Sequence, residues 1–362
     1  MKRILIFITA LSISSLSWAG NPARTGTAGA TELMINPWAN SSGWNGINSS
    51  NIKGIESLNL NSAGLTQIKS TNVGFSYMKY IADIKLNSMG LAQKIGSQSY
   101  IGISLFSMNF GNIERTDVNN PDGGIGTYSP RFTNIAVSYA HKFSDFISCG
   151  VVFRGISETG ASDVKAKSAC MDAGVQYSGK SKKSAASEVK GKDLHLGISL
   201  RNVGVNGVFA GDGLSYHFTD ADGVQRTAQI RSAPFQLPTQ LHIGASYDVK
   251  LDKDSSVFHN KLTIAGNFTS NAYANNQFGL GVEYTYKKIF AVRGGYQYED
   301  KINDKELHIN AFSGLAFGAS INIPLNKQNN DNMISFDYSF RDSQFFGATH
   351  CLGIRVDLGD DE

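Results

Sequence analysis

Seven histidines are spread through the 362 residues, at His141, His195, His217, His242, His259, His308 and His350. None stands four residues from another, as a helical metal pair requires, and no Gly-x-Ser-x-Gly nucleophile elbow occurs. Cys149, Cys170 and Cys351 lack metal-ligand spacing and are too few for a disulfide framework. Alternation puts Cys149 on the face of Val151 and Phe153, and Cys170 on the parity opposite to Val175 and Tyr177, so all three read as isolated thiols. An enzyme acting on lipopolysaccharide lipid would need a nucleophile beside a base, and none is legible. The expectation is therefore no catalytic residue, no metal ligand and no cofactor. The charges that remain interesting are Glu283, Arg293, Asp337, Arg341 and Arg355, each on the polar parity of an alternating segment. All five would project into a barrel's lumen, and because buried charges need partners whatever the function, Asp337, Arg341 and Arg355 on the last two strands read as an ion-pair network.

The segments that must position them are strands. From Phe278 to Tyr286, and again from Phe290 to Glu299, aromatic and aliphatic residues alternate with Gln, Glu, Arg and Gly across a two-lysine turn, Lys287-Lys288. Successive strand side chains face opposite ways. In a soluble sandwich the apolar face would be core; in an outer-membrane barrel it meets lipid, while the polar, small-residue face lines the lumen.

The N-terminus favours the second case. Lys2 and Arg3 precede an apolar run from Ile4 to Ile13, and Ser17-Trp18-Ala19 supplies small residues at a cleavage site, so residues 1–19 read as a secretory signal peptide. No later apolar stretch approaches the ~20 residues of a spanning helix. The formal charge of +3, without a Lys/Arg block, excludes nucleic acid as an evident partner. Abundant glycine (38 residues) and scarce proline (7) suit many strands with small inward side chains.

Residues 20–71 are irregular and rich in Asn, Ser and Gly, a segment that could fold inside or beneath a barrel. From Asn72 the alternation is nearly continuous to the C-terminus, in about fourteen segments. Long links, Gly111–Arg131 and Gly204–Leu237, follow the third and seventh segments; the tight connections Lys94–Gln98, Ser144–Asp145, Asp252–Ser255 and Lys287–Lys288 fall at even-to-odd positions. The link from Ser178 to Asp193 is the exception. Short periplasmic turns and long external loops are the rule for outer-membrane barrels. The fold expected is an all-β transmembrane barrel of about 14 antiparallel strands over residues 72–362, in the outer membrane of a Gram-negative cell. Tyr77, Tyr284, Tyr296, Tyr298 and Tyr338 suit its interfacial girdles.

Asn119-Asn120-Pro121-Asp122-Gly123-Gly124, in the first long link, is a turn-forming run without calcium-ligand spacing. The second long link mixes Phe209, Tyr216, Phe218 and Phe235 with glycine and charge. Aromatics on such a loop can serve a partner or pack the loop onto its own barrel mouth, and both readings stay open.

Several pieces in order resemble the PorV/PorQ family, relatives of the FadL-type barrels. Ala23-Arg24-Thr25-Gly26-Thr27-Ala28-Gly29 is similar to the family's opening, and Asn61-Ser62-Ala63-Gly64-Leu65 to its Asn-Pro-Ala-Gly-Leu element, with serine in place of proline. Arg24, Gly26, Gly29, Asn61 and Gly64 carry that match. Gly197–Gly204, Leu237–Gly244, Arg293–Tyr296 and Asp337–Phe340, followed by Thr349-His350, complete it. The chain departs from the pattern again at its acidic end, Asp360-Asp361-Glu362. The resemblance implies a type IX secretion component of Bacteroidota-like bacteria, binding a Sov/SprA-like translocon, the C-terminal signal domains of cargo, and a PorU-like sortase complex. The alternative expectation is a FadL-like channel for hydrophobic small molecules, against which the polar parity of Gln277, Glu283, Arg293 and Gln297 argues.

Overall fold

The computed structural model describes residues 24–161, 164–179, 193–251, 260–304, 310–325 and 332–359. The segment read as a signal peptide, most of the Ser178–Asp193 link, the Asp252–Ser255 turn, Leu307, His259, His308 and the acidic end lie outside them.

Fourteen long antiparallel strands close into a barrel. They are β1 Thr71–Lys79, β2 Lys85–Lys94, β3 Ser99–Asn109, β4 Arg131–Lys142, β5 Ile147–Thr159, β6 Lys165–Gly179 and β7 Leu194–Gly204. The second half comprises β8 Gln240–Lys250, β9 Asn260–Asn271, β10 Gln277–Tyr286, β11 Phe290–Glu299, β12 Phe312–Pro324, β13 Met333–Ser343 and β14 Thr349–Leu358. Each pairs with its sequence neighbours, and β14 pairs with β1 from Thr71↔Leu358 to Lys79↔His350, which leaves no edge for lipid to solvate.

Burial alternates along the wall as the pattern requires. Val73, Phe75, Ile135, Val137, Leu280 and Val292 are exposed on the outside, forming the apolar belt of a transmembrane barrel. Tyr77, Tyr284, Tyr296, Tyr298 and Tyr338 all belong to that outer surface. His350 joins them, its Nδ1 2.8 Å from the Tyr338 hydroxyl and its ring edge-on to Phe340, an interfacial aromatic cluster. The three cysteines are unpaired.

Several strands run further than their apolar alternation suggests. β5 continues past Phe153 to Thr159, and β6 spans 15 residues where only Ala169–Tyr177 is legible. Their outer ends carry Ser, Thr and Lys, which hydrogen-bond as well in a ladder beyond the lipid as apolar residues do within it. The long links hold structure of their own. Ile113–Glu114 pairs with Thr127–Tyr128, Val208–Ala210 adds to β6, and Ser215–Thr219 pairs with Gln225–Gln229 as a free-standing hairpin.

Residues 30–70 occupy the lumen as a plug of short helical turns, Thr31–Met34, Ala39–Ser42, Gly54–Asn59 and Ser62–Gln67. Arg24–Ala30 lies at the long-loop mouth, where Ala28 bridges Gln236. Ser70 reaches the short-turn end beside Lys94 and Leu358, where β1 begins.

Candidate functional site

The plug fits because the wall is thin at its waist. A Cβ on Gly74 or Gly90 would lie 2.7 Å or 2.6 Å from Ile55, one on Gly281 2.8 Å from the Trp44 ring, and one on Gly279 2.5 Å from Ile47. Serines face polar plug backbone elsewhere: Ser199 Oγ donates to the Leu60 carbonyl at 2.6 Å, and Gly197 and Gly244 give room to Ser49 and Ser50. Trp44, Ile47, Ile55, Leu58 and Leu65 are thereby buried inside a barrel whose wall faces lipid on its other side.

Two groups of buried charge clasp the plug from opposite walls. On β10–β14, Arg293 Nε donates to Glu283 at 2.8 Å and its Nη2 to Ser320 Oγ at 2.7 Å; Ser320 in turn donates to Asp337. Arg355 Nε donates to Asp337 at 2.8 Å and stands 3.6 Å from Glu56 of the plug, whose other oxygen accepts the Ser41 N–H at 3.0 Å. Burial raises the Glu56 carboxyl to about 7, with Arg355 pulling the other way. On β5–β7, Arg154 pairs with Asp172 at 2.6 Å and donates to the Leu58 carbonyl; Arg201 donates to the Leu33 carbonyl at 3.1 Å. Four of the five charges singled out in the sequence thus meet: Glu283, Arg293, Asp337 and Arg355. Arg341 does not. It lies nearer the long-loop mouth, its guanidinium 4.0 Å over the Phe312 ring. Sequence reading missed Glu56, Arg154, Asp172 and Arg201, although the inward parity of the last three was available.

Among the described residues, a cavity lies on either side of the plug. The inner one, about 490 Å³, is lined by Lys53, Glu56, Lys261, Glu283, Arg293 and Arg355. The outer one, about 460 Å³, opens among the long loops and has two unlike walls. Toward β1–β3 and β12 it presents Tyr80, Ile84, Met108, Phe110 and Phe312; toward β7–β11 it presents Arg201, Gln240, His242 and Asn271. Buried Met78, Leu86, Phe106, Phe132 and Ile156 continue the apolar side behind it. The polar parity of Gln277, Glu283, Arg293 and Gln297 therefore describes one wall only. Leu86, Phe106, Met108, Phe132 and Ile156 point inward at the outer ends of β2–β5, so that parity does not weigh against a greasy lumen on this side.

Three nitrogens of residues that line this cavity are buried without a hydrogen-bond partner among the described residues. His242 Nδ1 meets Thr269 Oγ1 at 3.0 Å while its Nε2 is unsatisfied, and so are Arg201 Nε and Arg341 Nε. A buried N–H without an acceptor costs about 1–3 kcal/mol.

The loop aromatics separate into two pairs. Phe235 packs on Phe209 at 5.4 Å and onto Gly29 and Gly207, sealing the loop to the barrel mouth. Tyr216 and Phe218 stand 5.8 Å apart on the projecting hairpin and are exposed. The motif residues hold the plug. Arg24 donates to Tyr273 at 2.9 Å and lies over its ring; Gly26 has φ +78°; a Cβ on Gly64 would lie 2.2 Å from the Ile52 carbonyl oxygen. Asn61 Nδ2 donates to the Ser49, Val175 and Ile198 carbonyls at 3.2, 3.1 and 3.4 Å, tying plug to β6 and β7. At the short-turn end Ser178 Oγ lies 2.9 Å from His195 Nδ1, and His195 Nε2 is 3.6 Å from Asp248. Asp248 already accepts from Thr263 at 2.6 Å and Lys261 at 3.3 Å, so this string braces β6–β9 rather than activating a serine.

No protein-family model and no curated protein matches the chain. Solved structures do. The toluene transporter TodX of P. putida aligns with TM-score 0.51 at 11% identity, covering 89% of this chain and 99% of its own. A Pseudomonas aeruginosa FadL homologue gives 0.50 at 12% identity over 89% and 98%, and a deltaS2S3 mutant of the TodX monoaromatic hydrocarbon channel 0.50 at 13% over 88% and 97%. The chain has the FadL-type barrel fold.

Proposed function

We propose that the protein is an outer-membrane channel that binds small amphipathic, largely hydrophobic molecules in its outer cavity and passes them inward past the plug. The two-walled cavity carries this reading: Met108, Phe110 and Ile84 would hold an apolar body, and Arg201 and His242 would meet a hydrogen-bond acceptor at its polar end. Ligand sites of this kind pair apolar lining with a few convergent polar groups. The neighbours described as a toluene transporter and a monoaromatic hydrocarbon channel support it by fold. The reading thus reverses the order in which the sequence ranks the two functions. Titration of a short-chain alkyl fluorophore against the folded protein tests it. Saturable binding is expected, weakened about tenfold or more by Met108→Trp, which fills the cavity; binding that is absent, or indifferent to that substitution, sinks it.

A second reading is favoured by one observation, the exposed aromatic pair Tyr216 and Phe218 on the hairpin beyond the membrane. Together with the motif resemblance it supports a PorV/PorQ-like role in type IX secretion, with the hairpin meeting a Sov/SprA-like translocon, a PorU-like sortase complex or cargo C-terminal domains. Site-specific crosslinking from position 216 or 218 in native membranes tests it. Recovery of such a partner supports the role, and clean crosslinking to nothing but lipid removes it.

A further inference from the structure

Among the described strands, outward-facing cations are confined to one sector of the barrel. Lys79, Lys85, Arg131, Lys165 and Lys167 are the Lys and Arg side chains that point outward from the described strands, and all five stand at the long-loop ends of β1–β6. The strands' other Lys and Arg residues, Arg154, Arg201 and Arg293 among them, face the lumen. At the same end of β7–β13 the outward residues include Val203, Leu241, Phe278, Tyr298 and Asp342, without a cation.

Cross-strand register fixes the centre of the sector. Arg131 pairs with Thr159, and Thr159 with Lys165; one step inward, Thr133 pairs with Ser157, and Ser157 with Lys167. Arg131 and Lys165 are thus two strands apart, about 10 Å, with hydroxyls between them. Directly beneath on the same faces come Ile135, Phe153 and Met171 of the apolar belt. Lys167 lies two residues above Ala169, and Arg131 four above Ile135, roughly 7 and 13 Å along tilted strands. That is the depth of the headgroup layer and its outer fringe, which the long side chains can span while their stems stay against apolar wall. Lys79 is neutralised by Asp83 at 3.1 Å, whereas Arg131, Lys165 and Lys167 have no carboxylate partner among the described residues.

We propose that this sector binds the phosphorylated headgroup of an outer-leaflet glycolipid. The patch continues the surface that already meets acyl chains, so its occupant is the headgroup of the same lipid. Clustered cations at a membrane surface select anionic headgroups, and guanidinium and ammonium both bind phosphate through charge-assisted hydrogen bonds. The separation of Arg131 from Lys165 suits a disaccharide carrying a phosphate at each end, with Thr133, Ser157 and Thr159 facing its sugar hydroxyls. The short-turn end, without outward cations on the described strands, has no such preference.

Native mass spectrometry of the purified full-length barrel, with diphosphoryl lipid A as the probe, tests the assignment. Wild type should retain that lipid about tenfold or more over its fully dephosphorylated counterpart, and raising the salt should weaken retention. The triple variant Arg131→Gln, Lys165→Gln, Lys167→Gln should lose the preference, while Lys287→Gln, Lys288→Gln at the opposite end keeps it. Equal retention of phosphorylated and dephosphorylated lipid by wild type, or an undiminished preference in the triple variant, overturns the proposal. The comparison of the two lipids on wild type stands whether or not the triple variant folds.

Discussion

Arg355 is the residue on which plug and wall most depend together, because its guanidinium serves Asp337 of the barrel and Glu56 of the plug at once. Replacing it by glutamine leaves the buried Asp337 carboxylate short of a cation, for which the expected cost is about 3–5 kcal/mol. Denaturant unfolding in lipid vesicles measures it, and adding Asp337→Asn should recover part of the loss. Burial of Glu56, which outweighs its attraction to Arg355, adds a pH dependence of its own. Its folded value, raised to about 7, lies above the ordinary carboxylate value, so the folded state binds the proton more tightly. Its stabilising contribution is complete below about pH 4.5 and is lost as pH rises through about 7. Thermal unfolding from pH 5 to 8 should therefore show a falling midpoint that Glu56→Gln flattens; parallel curves for the two proteins would refute the link. None of this could be read from spacing, because Glu56 sits in a segment without periodicity, 281 positions before Asp337 in the numbering.

At the scale of elements, the plug is held by small residues rather than by a large complementary surface. A Cβ on Gly244 would lie 2.3 Å from Ser49 Oγ and 3.1 Å from Asn267 Oδ1, so Gly244→Leu should push residues 48–50 out of place while β8 keeps its pairing. Planar-bilayer recording should then give larger or more frequent openings than wild type, from a protein that still shows the heat-modifiable migration of a folded barrel. The strands themselves were legible because a wall between lipid and lumen must alternate. Phe278–Tyr286 and Phe290–Glu299 show it in full, and β10 and β11 occupy Gln277–Tyr286 and Phe290–Glu299. The outer reaches of β5 and β6 were not legible, since beyond the lipid their outward residues are Ser, Thr and Lys, the composition of a loop. That residues 20–71 could fold inside the barrel was open to the sequence, but how the plug is held was illegible for a related reason. Its partners are glycines and serines scattered over the barrel, and contact with a glycine leaves no signature in the residue that makes it.

For the whole molecule, a barrel with a plugged waist, an outer cavity with one greasy and one polar wall, and a basic sector toward the outer leaflet form a consistent path. On the proposed reading, amphipathic molecules would arrive from the membrane's outer side, partition their apolar part against Met108 and Phe110, and set their polar end toward the wall of Arg201 and His242 before the plug yields. One hairpin's parity had suggested a polar lumen; seeing the opposite wall, where Leu86, Phe106 and Phe132 point inward, reverses that weighting. The hairpin bearing Tyr216 and Phe218 is separable from the cavity, so Tyr216→Ser, Phe218→Ser should leave small-molecule binding unchanged even if it abolishes a partner contact. The most direct measurement is the uptake rate of a small amphipathic probe by cells lacking this protein, complemented with wild type, Met108→Trp, or the Tyr216→Ser, Phe218→Ser pair. The account predicts that wild type and the hairpin variant restore uptake while the cavity-filled variant does not. Uptake that is identical in all strains, including the uncomplemented one, would contradict it.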